Sequence, residues 1–221
     1  MKIENQELLK LVSDLHTIPE GAHNIRQNGK LVSRVNDIDI TITPKDDKDG
    51  IDIYVKDNTQ NKSLHIPVLI TESGLKDLVY NDFHIGENCE VTIVAGCGIH
   101  NDGNQDSEHN GIHTFYVGKN STVKYIERHV GVGGNAKKIL NPVTKIFIDE
   151  GATFNMETVQ IGGVSSSIRK TYVECADNAT LLTNERILTE NDELAETYFE
   201  IILNGKNSKG DIISRSVAKG N

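Results

Sequence analysis

The chain has no tryptophan, and aromatic residues make up only 5% of its 221 positions. A hydrophobic interior must therefore be built mainly from Ile, Val, Leu and Ala. Cysteine is scarce too. The three residues Cys89, Cys97 and Cys175 are odd in number and unrelated in spacing, which does not fit a disulfide framework. A reduced cytoplasmic setting is the default expectation. Basic residues are outnumbered, 23 Lys and Arg against 32 Asp and Glu, for a net charge of −9. This balance argues against nonspecific binding to nucleic acid or to an anionic membrane surface. No apolar run approaches the roughly 18 residues of a membrane helix. The opening MKIENQELLK has no apolar segment of the kind found in secretory signals.

What the chain has is self-similarity. FHIGENCEV from Phe83, FYVGKNSTV from Phe115, IFIDEGATF from Ile146 and VECADNATL from Val173 can be laid over one another. Each runs apolar residue, polar turn, small residue, apolar residue. A degenerate fifth copy, LNGKNSKGDIISRSV, begins at Leu203. Strand–turn–strand units at such a period predict a stacked β architecture. The matched apolar positions point inward. The small positions (Cys89, Ser121, Ala152, Ala179) fall at tight corners, and Gly, Asn and Asp at the turns supply left-handed backbone. Cys89 and Cys175 occupy inward positions and read as core residues.

Three parts follow from the pattern. Residues 1–20 hold an amphipathic helix over residues 5–16, capped by Asn5, with Leu8, Leu11, Val12 and Leu15 on one stripe and a stop at IPEG (Ile18 to Gly21). Residues 21–77 hold period-two strands, among them IDITI (Ile38 to Ile42) and IDIYV (Ile51 to Val55). Pro67 should place its strand at an edge or corner. Residues 78–221 form the solenoid core. A solenoid needs end caps. The N-terminal helix is a candidate cap for one end. The other end is expected to be uncapped, since the chain stops at SRSVAKGN in mid-strand by pattern.

Chemistry-bearing residues concentrate between Cys97 and His113. Cys97 lies in AGCGIH between two glycines, which should leave its sulfur accessible as a soft ligand or sulfur acceptor; the alternative is an ordinary loop thiol. Cys97, His100, His109 and His113 form C-x2-H-x8-H-x3-H, a spacing that can hold zinc or iron. The alternative there is a polar loop from Asn101 to Asn110 carrying incidental histidines. DGNQDSE lacks the glycine and late glutamate of a calcium loop and reads as solvated surface. GVGG does not match phosphate-binding spacings, and no Walker motif is present.

HIPVLITESGLKDLVYNDFHIGENCEVTIVAGCGIHN, ILNPVTKIFIDEGATFNMETVQIGGV and LNGKNSKGDIISRSVAKGN, together with GAHNIRQNGK near the start, resemble the SufB/SufD family. The resemblance runs from about Gly21 to the end. It implies an all-β, right-handed parallel β-helix. It implies a cytoplasmic scaffold, not itself an enzyme, that assembles a transient iron–sulfur cluster with SufC, an ABC-type ATPase. It also implies pairing with a SufB/SufD-like partner or a second copy through the β-helix. Residue by residue, Cys97 matches the family cysteine that receives or relays sulfur, His109 its downstream histidine and Lys145 the lysine of its N-x-V-T-K block. The family's glutamine and tryptophan in the next strand have no counterpart in KYIERHVGVGG. Its C-terminal cysteine and acidic-histidine residues lie beyond Asn221. Two other readings stand beside this one: a structural or regulatory β-solenoid without cluster chemistry, and a metal-dependent enzyme built on the Cys97 and His109 loop.

Overall fold

The computed structural model describes residues 6–13, 15, 19 and 21–220. One helix, α1 (Gln6–Ser13), precedes β1 (His23–Gln27), β2 (Lys30–Val35), β3 (Ile40–Pro44), β4 (Gly50–Val55), β5 (Lys62–Ile70), β6 (Lys76–Ile85), β7 (Glu90–Asn101) and β8 (Ser107–Val117). There follow β9 (Thr122–Gly133), β10 (Lys138–Leu140), β11 (Val143–Ile148), β12 (Thr153–Gln160), β13 (Ser166–Cys175), β14 (Thr180–Glu190), β15 (Leu194–Leu203) and β16 (Lys209–Lys219). The strands stack into two parallel sheets, β16-β14-β12-β9-β7-β5-β1-β2 and β10-β13-β11-β8-β6-β4-β3, with β15 on β13. The architecture is a parallel β-helix. Among the described residues only β1–β2 and β3–β4, at the N-terminal end, pair antiparallel.

The ladders reproduce the repeat alignment. Phe83 faces Phe115, Phe115 faces Ile146 and Ile146 faces Val173 in one sheet. Val91, Val123, Phe154 and Leu181 follow one another in the other. A side chain in one coil therefore stacks on its counterpart in the next, about 4.8 Å away. Phe83 and Phe115 lie ring on ring, with centroids 4.2 Å apart. The small corner residues Cys89, Ser121, Ala152 and Ala179 are all buried. One earlier coil escaped the sequence reading. Val55 pairs with Ile85, and VKDNT carries the same turn, with Asn58 at φ 63°.

Asn and Gly do supply the left-handed backbone at the turns, at Asn88, Asn120, Gly151 and Asn178, where asparagine tolerates a conformation most side chains avoid. Three expectations need correction or limits. Pro67 is not on an edge, because β5 lies between β1 and β7. Its missing N–H falls where the β1–β5 ladder skips from His23↔His65 to Arg26↔Val68. Helix α1 does not close an end. It lies on the outer face of the sheet, antiparallel to β7, with Leu8 over Gly98 and Val12 over Gly96. A Cβ at Gly96 would meet the Val12 carbonyl at 2.2 Å, and one at Gly98 the Leu8 side chain at 2.6 Å, so both glycines are required for this seat. Leu8, Leu9 and Val12 bury against Ile25, Leu69 and Val130. The Asn5 cap and most of the IPEG stop lie outside the described residues.

Candidate functional site: a polar chamber inside the solenoid

Strand parity decides which side chains enter the lumen. Near the repeated corners the inward residues are apolar: Phe83, Phe115, Tyr125, Ile146, Phe154 and Val173 among them. Farther along the same strands the inward positions turn polar. Asp77 and Asn81 come from β6, His109 and His113 from β8, Glu127 and His129 from β9, Arg169 from β13 and Glu185 from β14, all buried.

Six of these groups, with Tyr125, form one hydrogen-bonded chain. The Arg169 guanidinium donates to a Glu127 carboxylate oxygen and, at 3.1 Å, to His129 Nδ1. Its Nε lies 3.5 Å from Glu185 Oε1. The Tyr125 hydroxyl donates to Glu127 Oε1 at 3.1 Å, so it accepts from His113 Nδ1 at 2.8 Å. His113 Nε2 then takes the 3.3 Å bond from the Asn81 amide. Both rings are thereby fixed as neutral imidazoles. Burial, Arg169 and the neighbouring histidines outweigh the pull of Glu127 and hold His129 at about 3. Burial does the same for His113, at about 4. Burial pushes Glu127 up, but Arg169, His129 and His113 overcome it and hold its carboxylate at about 2. Beside this chain, His109 Nδ1 donates to Asp77 Oδ2 at 2.9 Å, and Asp77 Oδ1 accepts from Arg26 at 3.2 Å. In a neutral His109 this leaves the lone pair on Nε2.

Cys97 belongs to this chamber. It points inward from β7, between Val68 and His129 in the ladder, and is 3% exposed. With Asn81, His109, His113, Glu127 and His129 it lines a small cavity of about 20 Å³, about the size of one water. Gly111 keeps the cavity open. A Cβ there would sit 3.0 Å from His113 Nε2 and 3.5 Å from His109 Nε2. Burial, reinforced by the negative charges of Asp77 and Glu127, pushes the Cys97 thiol well above its ordinary range. The expected accessible thiol is therefore a buried, protonated one. Gly96 and Gly98 do not expose it; they seat α1 on the far side of its strand.

The other sequence candidates divide by parity. His109 and His113 join Cys97 in the lumen. His100, three residues from Cys97 on the same strand, points outward and bonds Asp102 at 2.9 Å. The four-residue metal set is thus split across a sheet, and among the described residues no three His, Cys, Asp or Glu side chains form a metal-holding group. Lys145 is exposed on the outer face of β11, facing away from the chamber. Cys89 and Cys175 are buried in the apolar half of the lumen. The stretch expected as a loop from Asn101 to Asn110 is shorter, because β8 resumes at Ser107. Sequence reasoning missed Asp77, Glu127, His129, Arg169 and Glu185. Their signal was a charged or imidazole side chain at an inward step of a period-two strand, as in VKYIERH, where Val123, Tyr125, Glu127 and His129 share one face.

No helix among the described residues is long and apolar enough to cross a membrane. No solved structure matches the chain. A curated protein of Archaeoglobus fulgidus, an iron–sulfur cluster assembly SufBD family protein, is 27% identical over 179 residues, covering 79% of this chain and 47% of its own length. The chain thus spans about half the length of that relative. The core-domain family of SufB and SufD matches residues 68–221, which include every strand from β6 onward and all but Arg26 of the chamber's polar groups. On this match, the chain belongs to the SufBD core domain family of the SUF iron–sulfur cluster assembly system.

Proposed function

We propose that the chain is a scaffold subunit of SUF-type iron–sulfur cluster assembly, working with a SufC-type ATPase, and that Cys97 receives sulfur inside the solenoid. The observation that carries the reading is the chamber itself: Cys97, which the resemblance matches to the family's sulfur-handling cysteine, lines a small cavity with His109, His113, Glu127 and His129. The cluster is cargo in this reading. In sulfur transfer the Cys97 thiolate attacks the outer sulfur of a donor persulfide. A new S–S bond forms on Cys97, the donor's S–S bond breaks, and the donor leaves as a thiolate. The buried thiol must first lose its proton. His109, with Nδ1 donated to Asp77, has the base–orienter arrangement that holds a lone pair ready on the other nitrogen. His113 and His129 are poor bases at about 4 and about 3 and serve to shape the cavity. Lys145, on the outer surface, has no part in this step.

Anaerobic reconstitution with iron, a sulfur donor and a SufC-type ATPase tests the reading. Bound iron with labile sulfide that falls sharply in Cys97→Ser, together with co-purification of the ATPase, supports it. Equal cluster content in wild type and Cys97→Ser overturns the role of Cys97. Absence of both cluster and ATPase supports the alternative of an interaction module without cluster chemistry, which the burial of Cys97 favours.

A further inference from the structure

The outer face that seats α1 continues, uncovered, toward the C-terminal coils. Two rows of outward residues define the seat. One runs Leu69, Gly98 and Val130 and continues with Ile161, Leu188 and Val217. The other runs Gly96, Arg128, Val159, Arg186 and Arg215 in strict register. Over the first coils α1 covers these rows with Leu8, Leu9 and Val12. Over β12, β14 and β16 they are open. Ile161 is 40% exposed and Val217 62%, and on the other side of the arginines Ile213 is 41% exposed.

The arginine pair is the second feature. Arg186 and Arg215 lie directly opposite each other on adjacent strands, and both are exposed. Like charges directly opposite in a ladder repel. Elsewhere on this surface cations have carboxylate partners: Lys119 with Glu150 at 3.2 Å, Lys124 with Glu157 at 3.0 Å and Lys219 with Glu190 at 3.1 Å. Among the described residues neither Arg186 nor Arg215 has such a partner. A chain of net charge −9 thus keeps two adjacent guanidiniums unneutralised between an apolar row on one side and the exposed Ile213 on the other.

We propose that the outer face of β14 and β16 docks an acidic amphipathic helix of a partner protein, seated as α1 is seated over β7. The helix is argued from continuity, because the same two rows already carry a helix two coils away. Its acidity is argued from Arg186 and Arg215, whose planar forks match carboxylates bidentately. Leu188 and Val217 on one side, and Ile213 on the other, take its apolar stripe at i, i+4 and i+7. The inference is independent of the sulfur chemistry proposed for Cys97.

Fluorescence anisotropy on the whole chain tests it with two labelled helical peptides of identical leucine spacing. One carries Glu at the flanking positions and the other Lys. The Glu peptide is expected to bind about tenfold or more tighter. Arg186→Glu with Arg215→Glu should reverse that ranking while leaving the thermal midpoint unchanged, because both side chains are exposed. Val217→Asp should weaken both peptides. Equal binding of the two peptides, no binding of either, or a ranking untouched by the charge reversal overturns the proposal. So does tighter binding of phosphatidylserine vesicles or of a single-stranded oligonucleotide that the same double substitution abolishes, which would assign the pair to a different class of partner.

Discussion

The two halves of the lumen are built on the same strands and held by different physics. Near the corners, Phe83, Phe115, Ile146, Phe154 and Val173 stack coil upon coil. Their stabilisation is burial of apolar surface, which has no preferred partner and no dependence on protonation. Four to six residues away along the same ladders, Asp77, His109, Glu127, His129 and Arg169 replace them. There each group is stable only while its partner is present, because an unpaired buried charge is costly. A β-helix can close its interior with hydrocarbon throughout, and half of this one does. The polar half therefore marks where the molecule gives up the simpler solution, and Cys97 is the one cysteine on that side.

Acidification should separate the halves most strongly. Glu127 is held at about 2, below its ordinary 4.5, so its contribution is full above pH 4.5 and is lost as the pH falls toward 2. His113 and His129 are held at about 4 and about 3, below 6.5. The unfolded chain therefore binds protons below pH 6.5 that the native state refuses, and stability again falls with pH. All three act in one direction. Urea midpoints should drop steadily from pH 7 to pH 4, and His129→Gln should flatten that slope; a flat wild-type profile would break the comparison.

Arg169→Met should be the next largest effect. It leaves Glu127 and Glu185 buried without their cation, for a loss of about 3–5 kcal/mol at pH 7. The loss should shrink in acid as Glu127 takes a proton, and denaturant titrations at the two pH values measure this. Ile146→Val, in the apolar half, should cost only about 0.5–1.5 kcal/mol. That cost should be the same at pH 7 and pH 4. A pH-dependent Ile146→Val loss would mean the halves are coupled.

The coils were legible because two signals coincide. Apolar residues alternate, and each turn repeats one small residue in place. The alignment of Phe83, Phe115, Ile146 and Val173 carried over into the ladders without a shift. The earlier coil at Val55 was missed because its small position is held by Thr59, which is less distinctive. The site was half legible. Cys97, His109 and His113 were singled out by residue type and spacing, but spacing alone ignores parity. An offset of three, as between Cys97 and His100, reverses the face of a strand. The glycines beside Cys97 were read as space around a sulfur, whereas they make space for a helix on the opposite face. Glu127 and Arg169 were invisible as a pair because they lie 42 residues apart, and only the stacking of coils brings them together.

Sulfur mapping tests the central claim, that the polar half is a sulfur-handling chamber. Native protein is exposed without oxygen to a small sulfane-sulfur donor, the remaining thiols are blocked after unfolding, and each cysteine peptide is weighed. The account predicts an added sulfur on Cys97, with Cys89 and Cys175 in the apolar half unmodified, and a loss of that modification in folded His109→Gln protein. Sulfur distributed equally over the three cysteines, or found on Cys175 and absent from Cys97, would contradict it.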